Sequence, residues 1–321
     1  MFSILFIYFY SIDCATTFQN TMKRNKIIVI GSSNTDMTVK TSRLPGPGET
    51  VMGGTFSMGG GGKGANQAVA VSRLGGNAEF VCKVGDDIFG RASVQRYREE
   101  GIITSHVMTS PQPSGVALIY VDDHAENCIA VAPGANYDLK PEDISSIGQS
   151  ISEAAIMLLQ LEIPLETVVA AAMAAREADV KVVLNPAPAQ ALPDGLYRDT
   201  YLIIPNETEA QALTGVQIDS PESAAEAARI LQVKGAANVI ITMGAKGSSV
   251  TDSGGRTEFI PAVRVQAKDT TAAGDTFCGA VCVALADGKS LTEAAGFATR
   301  ASALSVQRIG AQQSIPYIRE L

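Results

Sequence analysis

The sequence has no tryptophan, only two histidines (His106 and His124) and 6% aromatic residues. That scarcity argues against stacking platforms for nucleic-acid bases, a histidine-rich metal site or a Ser-His-Asp relay. Basic residues are short as well: 25 Lys plus Arg stand against 33 Asp plus Glu, a formal net charge of −8. No surplus of cations is left to neutralise phosphates, which speaks against nucleic acid and against an anionic membrane as partners. Cysteine is sparse and irregular, at positions 14, 82, 128, 278 and 282, with no CxxC. This is not a disulfide framework and points to a reducing, cytoplasmic compartment. Cys278 and Cys282 stand one helical turn apart and read as helix packing.

The opening run MFSILFIYFYSI is apolar but shorter than the roughly 20 residues that span a bilayer. It has no Lys or Arg before Lys23, so the basic region of a secretory signal is missing. Asp13 precedes Cys14 where a lipoprotein signal wants a small residue. Met22 opens a stretch, MKRNKIIVIG, that runs straight into a strand. Residues 1–22 are therefore expected to be an extension outside the fold, disordered or upstream of the natural start, with the folded unit over 23–321.

What is present is an apolar share of 46% over 321 residues, enough to fill a large core. From residue 26 onward, strand-like runs alternate with helical patterns. Strands are expected at 26–31, 156–161, 180–184, 201–204 and 239–242. Helices are expected at 64–74, 165–178, from Ser220-Pro221 to about Lys234, and at 274–286 and 291–307. Strands separated by helices mean βαβ units, hence an α/β fold with a mainly parallel central sheet and helices on both faces. Two regions break the rhythm. Residues 38–57 and 115–132 contain short alternating strands and read as a small β flap.

Five segments carry candidate chemistry. In Asp269-Thr270-Thr271-Ala272-Ala273-Gly274-Asp275-Thr276-Phe277 a turn of small residues feeds a helix. The unpaired N–H groups and the dipole at such an end can hold phosphate oxygens without a basic side chain. Asp275, taken alone, reads first as a capping carboxylate; its functional reading is the acceptor of a hydroxyl proton in phosphoryl transfer. The run Gly59-Gly60-Gly61-Gly62-Lys63-Gly64-Ala65-Asn66-Gln67 is either a flexible loop or a backbone that must touch a ligand. It is not a Walker loop, because Gly64 follows Lys63 where Ser or Thr would bind Mg²⁺. Nor is it a dinucleotide fingerprint, since it comes roughly 30 residues after the first strand. Pro205-Asn206-Glu207-Thr208-Glu209 reads as an acidic helix start or as a holder of hydrated Mg²⁺. Asn34-Thr35-Asp36 and Gln160-Leu161-Glu162 each follow a strand, where α/β sheets bind ligands, and their oxygens and amides suit the hydroxyls of a polyol.

In this order the segments resemble the ribokinase family of carbohydrate kinases (the PfkB type), over about residues 26–316. The LNPAPA stretch at 184–189 and PNETEA at 205–210 add to the likeness. The resemblance implies ATP-dependent phosphorylation of D-ribose at its 5-hydroxyl, giving ribose 5-phosphate and ADP. By position it implies that Asn34, Asp36, Gly62, Lys63, Asn66 and Glu162 bind the sugar. Asn206, Thr242, Gly244, Lys246, Gly247, Gly274 and Thr299 would line the ATP site. Glu209 would act on Mg²⁺ through water, Ala273 and Gly274 would form the anion hole, and Asp275 would be the general base. A K⁺ activator would sit at Asp269, Thr271, Ser305, Arg308, Gly310 and Ser314. The flap would be the lid over the sugar and the contact of a homodimer. The sequence departs from the family at Thr299, where relatives carry His or Asn, and at Gly60, where they carry an aromatic residue. It also ends at Leu321, so that a final helix of relatives is expected to be missing. Competing readings are a deoxyribose or adenosine kinase, a non-catalytic sugar sensor on the same fold, and, remotely, a dinucleotide-dependent oxidoreductase.

Overall fold

The computed structural model describes residues 25–124 and 126–321, so the expectations for residues 1–22 and Cys14 lie outside the described residues. The central sheet is built from β1 (Lys26–Ile30), β4 (Asn77–Gly85), β5 (Val107–Ser110), β8 (Ile156–Leu159), β9 (Lys181–Leu184), β10 (Leu202–Ile203), β11 (Asn238–Thr242), β12 (Gly247–Thr251) and β13 (Thr257–Pro261). Their order is β13-β12-β11-β10-β9-β8-β1-β4-β5. The run from β11 to β5 is parallel, and β12 and β13 close one edge as an antiparallel pair. A second sheet, ordered β3-β2-β6-β7, contains β2 (Asn34–Lys40), β3 (Thr55–Gly61), β6 (Gly115–Val121) and β7 (Asn127–Ala132). The helices are α1 (Lys63–Arg73), α2 (Ile88–Glu99), α3 (Pro141–Ser146), α4 (Gly148–Ser152), α5 (Leu165–Glu177), α6 (Asp194–Asp199), α7 (Glu207–Thr214), α8 (Pro221–Lys234), α9 (Ala273–Ala286) and α10 (Leu291–Ser305). Among the described residues no helix is long and apolar enough to cross a membrane.

The continuous apolar run of β1 is explained by burial on both sides. Ile27 and Val29 join a core with Ala70, Phe277 and Ala298, whereas Ile28 and Ile30 join the opposite core with Val168, Ala171 and Leu231. Helix starts follow the expected chemistry. The Ser220 hydroxyl accepts the Ser223 N–H at 3.2 Å, with Pro221 at the first helical position.

The flap is a true second sheet, but it begins earlier than the alternation suggests. Residues 34–37 belong to β2, and Gly59, Gly60 and Gly61 belong to β3 and not to a loop. Asn34 pairs with Gly61 and Asp36 with Gly59 in register. Glycine masks the two-residue period, which is why the pattern hides this strand. The strands β4 and β5 and the edge pair β12–β13 are further elements that the simple βαβ reading leaves out. Their sequences mix polar and apolar residues too irregularly for the period to speak.

Helices α1 and α9 lie against each other through small residues. A methyl group built on Gly279 would stand 2.6 Å from the Ala70 Cβ. At the start of α1, one built on Gly64 would stand 2.6 Å from the Gly31 carbonyl carbon at the end of β1. These close approaches bring the first turns of α1 and α9 together at the carboxyl end of the sheet. Gly279→Val is therefore expected to lower the free energy of unfolding by about 1–3 kcal/mol or more through overpacking. Gly148→Ala, which meets nothing within 4 Å, is expected to change it by less than about 0.5 kcal/mol. Urea denaturation of both variants checks the pair.

Candidate active site

Asp275 sits in the first turn of α9 and is 6% exposed. Its Oδ2 accepts the Asn66 Nδ2–H at 2.9 Å, and its Oδ1 accepts the Gln67 Nε2–H at 2.9 Å. Both donors come from the first two turns of α1. The Gln67 amide is itself oriented, because its Oε1 accepts the Gln160 Nε2–H at 2.6 Å. Its Nε2 also reaches Asn185 Oδ1 at 3.1 Å, and Asn185 Nδ2 donates to the Ile204 carbonyl at 3.0 Å. A chain of buried amides thus leads from the ends of β8 and β9 to the carboxylate. Each Asp275 oxygen receives one N–H and keeps acceptor capacity, as a proton acceptor requires.

On one side of Asp275 stand oxygens suited to hydroxyl groups. Asp36, on β2, has its carboxyl pushed up to about 6 by burial first, then by the charges of Glu162 and Asp275, with Arg96 opposing. Glu162 accepts the Ser32 hydroxyl at 2.5 Å and the Lys63 backbone N–H at 2.9 Å. Asn34 Oδ1 accepts from Asn136 Nδ2 at 2.7 Å, and Asn136 Oδ1 accepts the Ser33 N–H at 2.8 Å. Asn66 Oδ1 is buried with no partner among the described residues, an acceptor in want of a donor. Gly62 caps α1 at φ 86, a left-handed turn that an L side chain resists.

On the other side lies a cavity of about 190 Å³ whose wall includes Lys63, Asn206, Glu209, Thr242, Gly274 and Asp275. The turn into α9 places Ala272 at φ 58, left-handed. The Ala273 N–H donates to the Thr270 carbonyl at 3.2 Å. Among the described residues, the N–H groups of Gly274 and Asp275 have no acceptor. A Cβ on Gly274 would meet nothing within 4 Å. Of the residues at which an anion hole was expected, Ala273 has its N–H engaged, and the free donors of this turn are those of Gly274 and Asp275. Burial pulls the Lys63 ammonium down, but the charges of Asp275, Glu162 and Glu209 raise it, and the sum is upward. Lys63 belongs to this cavity wall, and its backbone N–H also donates to Glu162 Oε2 at 2.9 Å. Burial raises the Glu209 carboxyl, against the Asn206 N–H and Lys63, which lower it. Glu209 and Asn206 also form a capping box at α7, with 2.8 Å from the Glu209 N–H to Asn206 Oδ1 and 2.9 Å from the Asn206 N–H to Glu209 Oε2. Structure and chemistry share these two residues.

Other expected residues are not brought to that wall. Lys246 leans on Glu207 at 3.6 Å and on the Asp219 carbonyl at 3.1 Å. Gly244 and Gly247 shape a turn at φ 52 and φ 126, closed by the Met243 N–H to the Gly247 carbonyl at 2.8 Å. Thr299 donates its hydroxyl to Ala295 on its own helix at 2.8 Å. In the expected cation segment, Asp269 Oδ1 accepts the Thr271 N–H and hydroxyl at 2.9 and 2.6 Å, and its Oδ2 accepts the Gly310 N–H at 2.8 Å. Asp269, Thr271 and Gly310 are thereby joined. Ser305 and Ser314 donate to the Ser302 and Ala311 carbonyls, and Arg308 pairs with Glu320. Gln160, expected to face a polyol hydroxyl, instead donates to Gln67. No role was expected for Gln67, Asn185 or Asn136. The first two lie in stretches that the sequence singles out, so they were within reach; Asn136 follows Pro133-Gly134 in an irregular stretch that carries no pattern.

The raised carboxyl of Asp36 has a consequence for stability. Its folded value lies above the unfolded one, so the ionised form destabilises the fold near neutrality and the effect fades as pH falls through about 6 toward 3.8. Asp36→Asn is expected to raise the melting temperature at pH 7 by a few degrees. The gain should shrink steadily between pH 7 and 4, as thermal scans across that range will report.

The family model described as pfkB family carbohydrate kinase matches residues 24–318. The ribokinase of Haemophilus influenzae is 44% identical over 298 residues, covering 92% of this chain and 97% of that protein. The deoxyribokinase of Salmonella typhimurium is 38% identical, covering 92% of this chain and 96% of that protein. The solved structure of Arabidopsis thaliana ribokinase complexed with ribose and ATP has a TM-score of 0.86 at 32% identity, covering 92% of this chain and 96% of that one. With a mainly parallel sheet, a smaller second sheet and a family model that spans most of its length, the chain belongs to the pfkB family of carbohydrate kinases.

Proposed function

We propose that the protein transfers the terminal phosphoryl group of ATP to the 5-hydroxyl of D-ribose. The observation that carries this reading is the position of Asp275, held by Asn66 and Gln67 between the oxygen-rich side of Asp36 and Glu162 and the cavity of Gly274, Asn206 and Thr242. Asn34, Asp36, Asn66 and Glu162 hold the sugar hydroxyls. Asp275 takes the hydroxyl proton as that oxygen attacks the terminal phosphorus and the bond to ADP breaks. The N–H groups of Gly274 and Asp275, with the Lys63 ammonium, receive the charge of the moving phosphoryl group. Closure of the lid sheet excludes water, so that the hydroxyl competes alone for the phosphoryl group.

The donor set fits both ions that the family implies. Glu209, a carboxylate on the cavity wall fixed by Asn206, would hold Mg²⁺ through water, and the ion would neutralise phosphate charge there. Asp269 and the segment it joins at Gly310 would hold K⁺, which would supply a fixed positive charge to that segment. The unpaired cysteines Cys82, Cys278 and Cys282 are buried, in keeping with a reducing, cytoplasmic setting.

Asp275→Asn is expected to lower kcat by roughly 10²–10⁴ with little change in folding. Coupled detection of ADP in the presence of ribose checks it, and near-normal turnover would remove Asp275 from the role of base. The 38% identical deoxyribokinase supports a second reading, with 2-deoxyribose as the acceptor. A kcat/KM for 2-deoxyribose above that for ribose in the same assay would favour it.

The lid also supports a homodimer. The face of the second sheet opposite Asp36 carries Met58, Met37 and Leu118 in one row and Phe56, Val39 and Tyr120 in the next. Phe56 is 64% exposed and Met58 54%. An apolar sheet face of this kind marks an interaction surface, and two copies of it bury one another. Phe56→Glu combined with Leu118→Glu is expected to convert a dimer to a monomer in light scattering and to raise the sugar KM.

A further inference from the structure

The glycine run has an explanation that sugar binding alone does not supply. A methyl group built on Gly60 would stand 2.3 Å from Gln312 Oε1, 2.7 Å from its Cδ and 2.9 Å from its Nε2. The Gln312 carboxamide therefore lies flat against the backbone of β3, just before Gly61 and Gly62 hand the chain to α1. Gln312 is 6% exposed, and its Nε2 has no acceptor among the described residues. A buried donor without a partner is rare enough to call for an explanation. The main chain of the same residue is fixed from the other side: Arg73, in the last turn of α1, donates to the Gln312 carbonyl at 2.6 Å and to the Ile315 carbonyl at 2.9 Å. Arg73 is in turn paired with Glu100 and lies over the Tyr317 ring at 4.8 Å. Two residues earlier, the Gly310 N–H holds Asp269 at 2.8 Å, and Asp269 holds the turn into α9 through the Thr271 N–H at 2.9 Å.

Resting on the sugar-kinase reading above, we infer that Gln312 is a positioning residue that wedges the lid hinge at Gly60 and ties it to the loop carrying Gly310. The wedge sets the angle at which β3 enters α1. That angle governs how Asp36, against which Gly61 packs, faces Asn66 across the sugar. A Cβ on Gly61 would stand 2.1 Å from Asp36 Oδ1, so β3 cannot shift at this point without moving that carboxylate. The unpaired Nε2 finds its acceptor when the lid closes and the β3 backbone moves past it. Absence of a side chain at position 60 is thus matched to the presence of Gln312, and the two positions act as one contact.

A double-mutant cycle tests this. Gly60→Ala drives a methyl group into the carboxamide and is expected to raise the ribose KM about tenfold, with kcat and the ATP KM within about twofold. Gln312→Ala removes the wedge and is expected to raise the ribose KM by a smaller factor. In the double variant the methyl group fills the vacated space, and the KM is expected to fall below that of Gly60→Ala alone. Gln312→Glu, which keeps the shape but loses the donor, is expected to retain the ribose affinity of the open enzyme in calorimetry and to bind more weakly where ATP is present and the lid closes. Additive effects in the cycle, or equal losses in kcat and in both KM values, would overturn the inference. Calorimetry on the unaltered protein separates the two claims: ribose binding with an additive cycle sinks only the wedge, whereas no ribose binding at all sinks the sugar-kinase reading and the wedge with it.

Discussion

The contact on which the site depends is the pair of amide hydrogen bonds from Asn66 and Gln67 to the Asp275 carboxylate. It joins the beginnings of two helices separated by about 200 positions in the chain, and it forms only because their backbones come close. The small residues along α1 and α9 provide that closeness. A bulkier residue at Gly279 would move one helix start relative to the other, and a displacement on the order of 1 Å in such a constellation is enough to cost about a hundredfold in rate. Packing far from the reacting atoms is therefore part of the chemistry.

The charges around this contact are arranged in an unusual balance. Asp275, Glu162 and Glu209 are brought near one ammonium group, that of Lys63. Burial first, and then the charges of Glu162 and Asp275, raise the carboxyl of Asp36. Such a cluster destabilises the empty protein. It suits a reaction in which a neutral polyol supplies hydroxyl donors on one side and a charged nucleotide arrives with its own cation on the other. The free N–H groups of Gly274 and Asp275 are donors of the kind that can receive anionic oxygens without a further basic side chain, which agrees with the acidic balance of the whole chain.

The second sheet stands beside this arrangement. One of its faces carries Asp36, and the opposite face is apolar and exposed. Because adjacent residues of a strand point to opposite faces, Asp36 and Met37 serve different surfaces. The glycine-rich end of β3 lies where the lid, α1 and the C-terminal loop meet, and side chains from Asp36 and Gln312 fill the space that its missing Cβ atoms leave.

The sequence by itself determined the class of the fold and the order of the reactive segments. The β1 run, the Ser220-Pro221 helix start and the turn into α9 are local patterns, set by burial on both faces, by capping and by chain geometry within a few residues. The free N–H groups of the turn into α9 are local for the same reason. Only the tertiary structure decided which groups meet. It showed that residues 34–37 form a strand of the second sheet, that the Lys63 ammonium stands among the charges of Asp275, Glu162 and Glu209, and that the free donors are those of Gly274 and Asp275. It also showed that Gln67 draws its orientation from Gln160 and Asn185. These outcomes depend on contacts between segments far apart in the chain, where an amide or a carboxylate has many possible partners and the packing of helices and strands leaves it one.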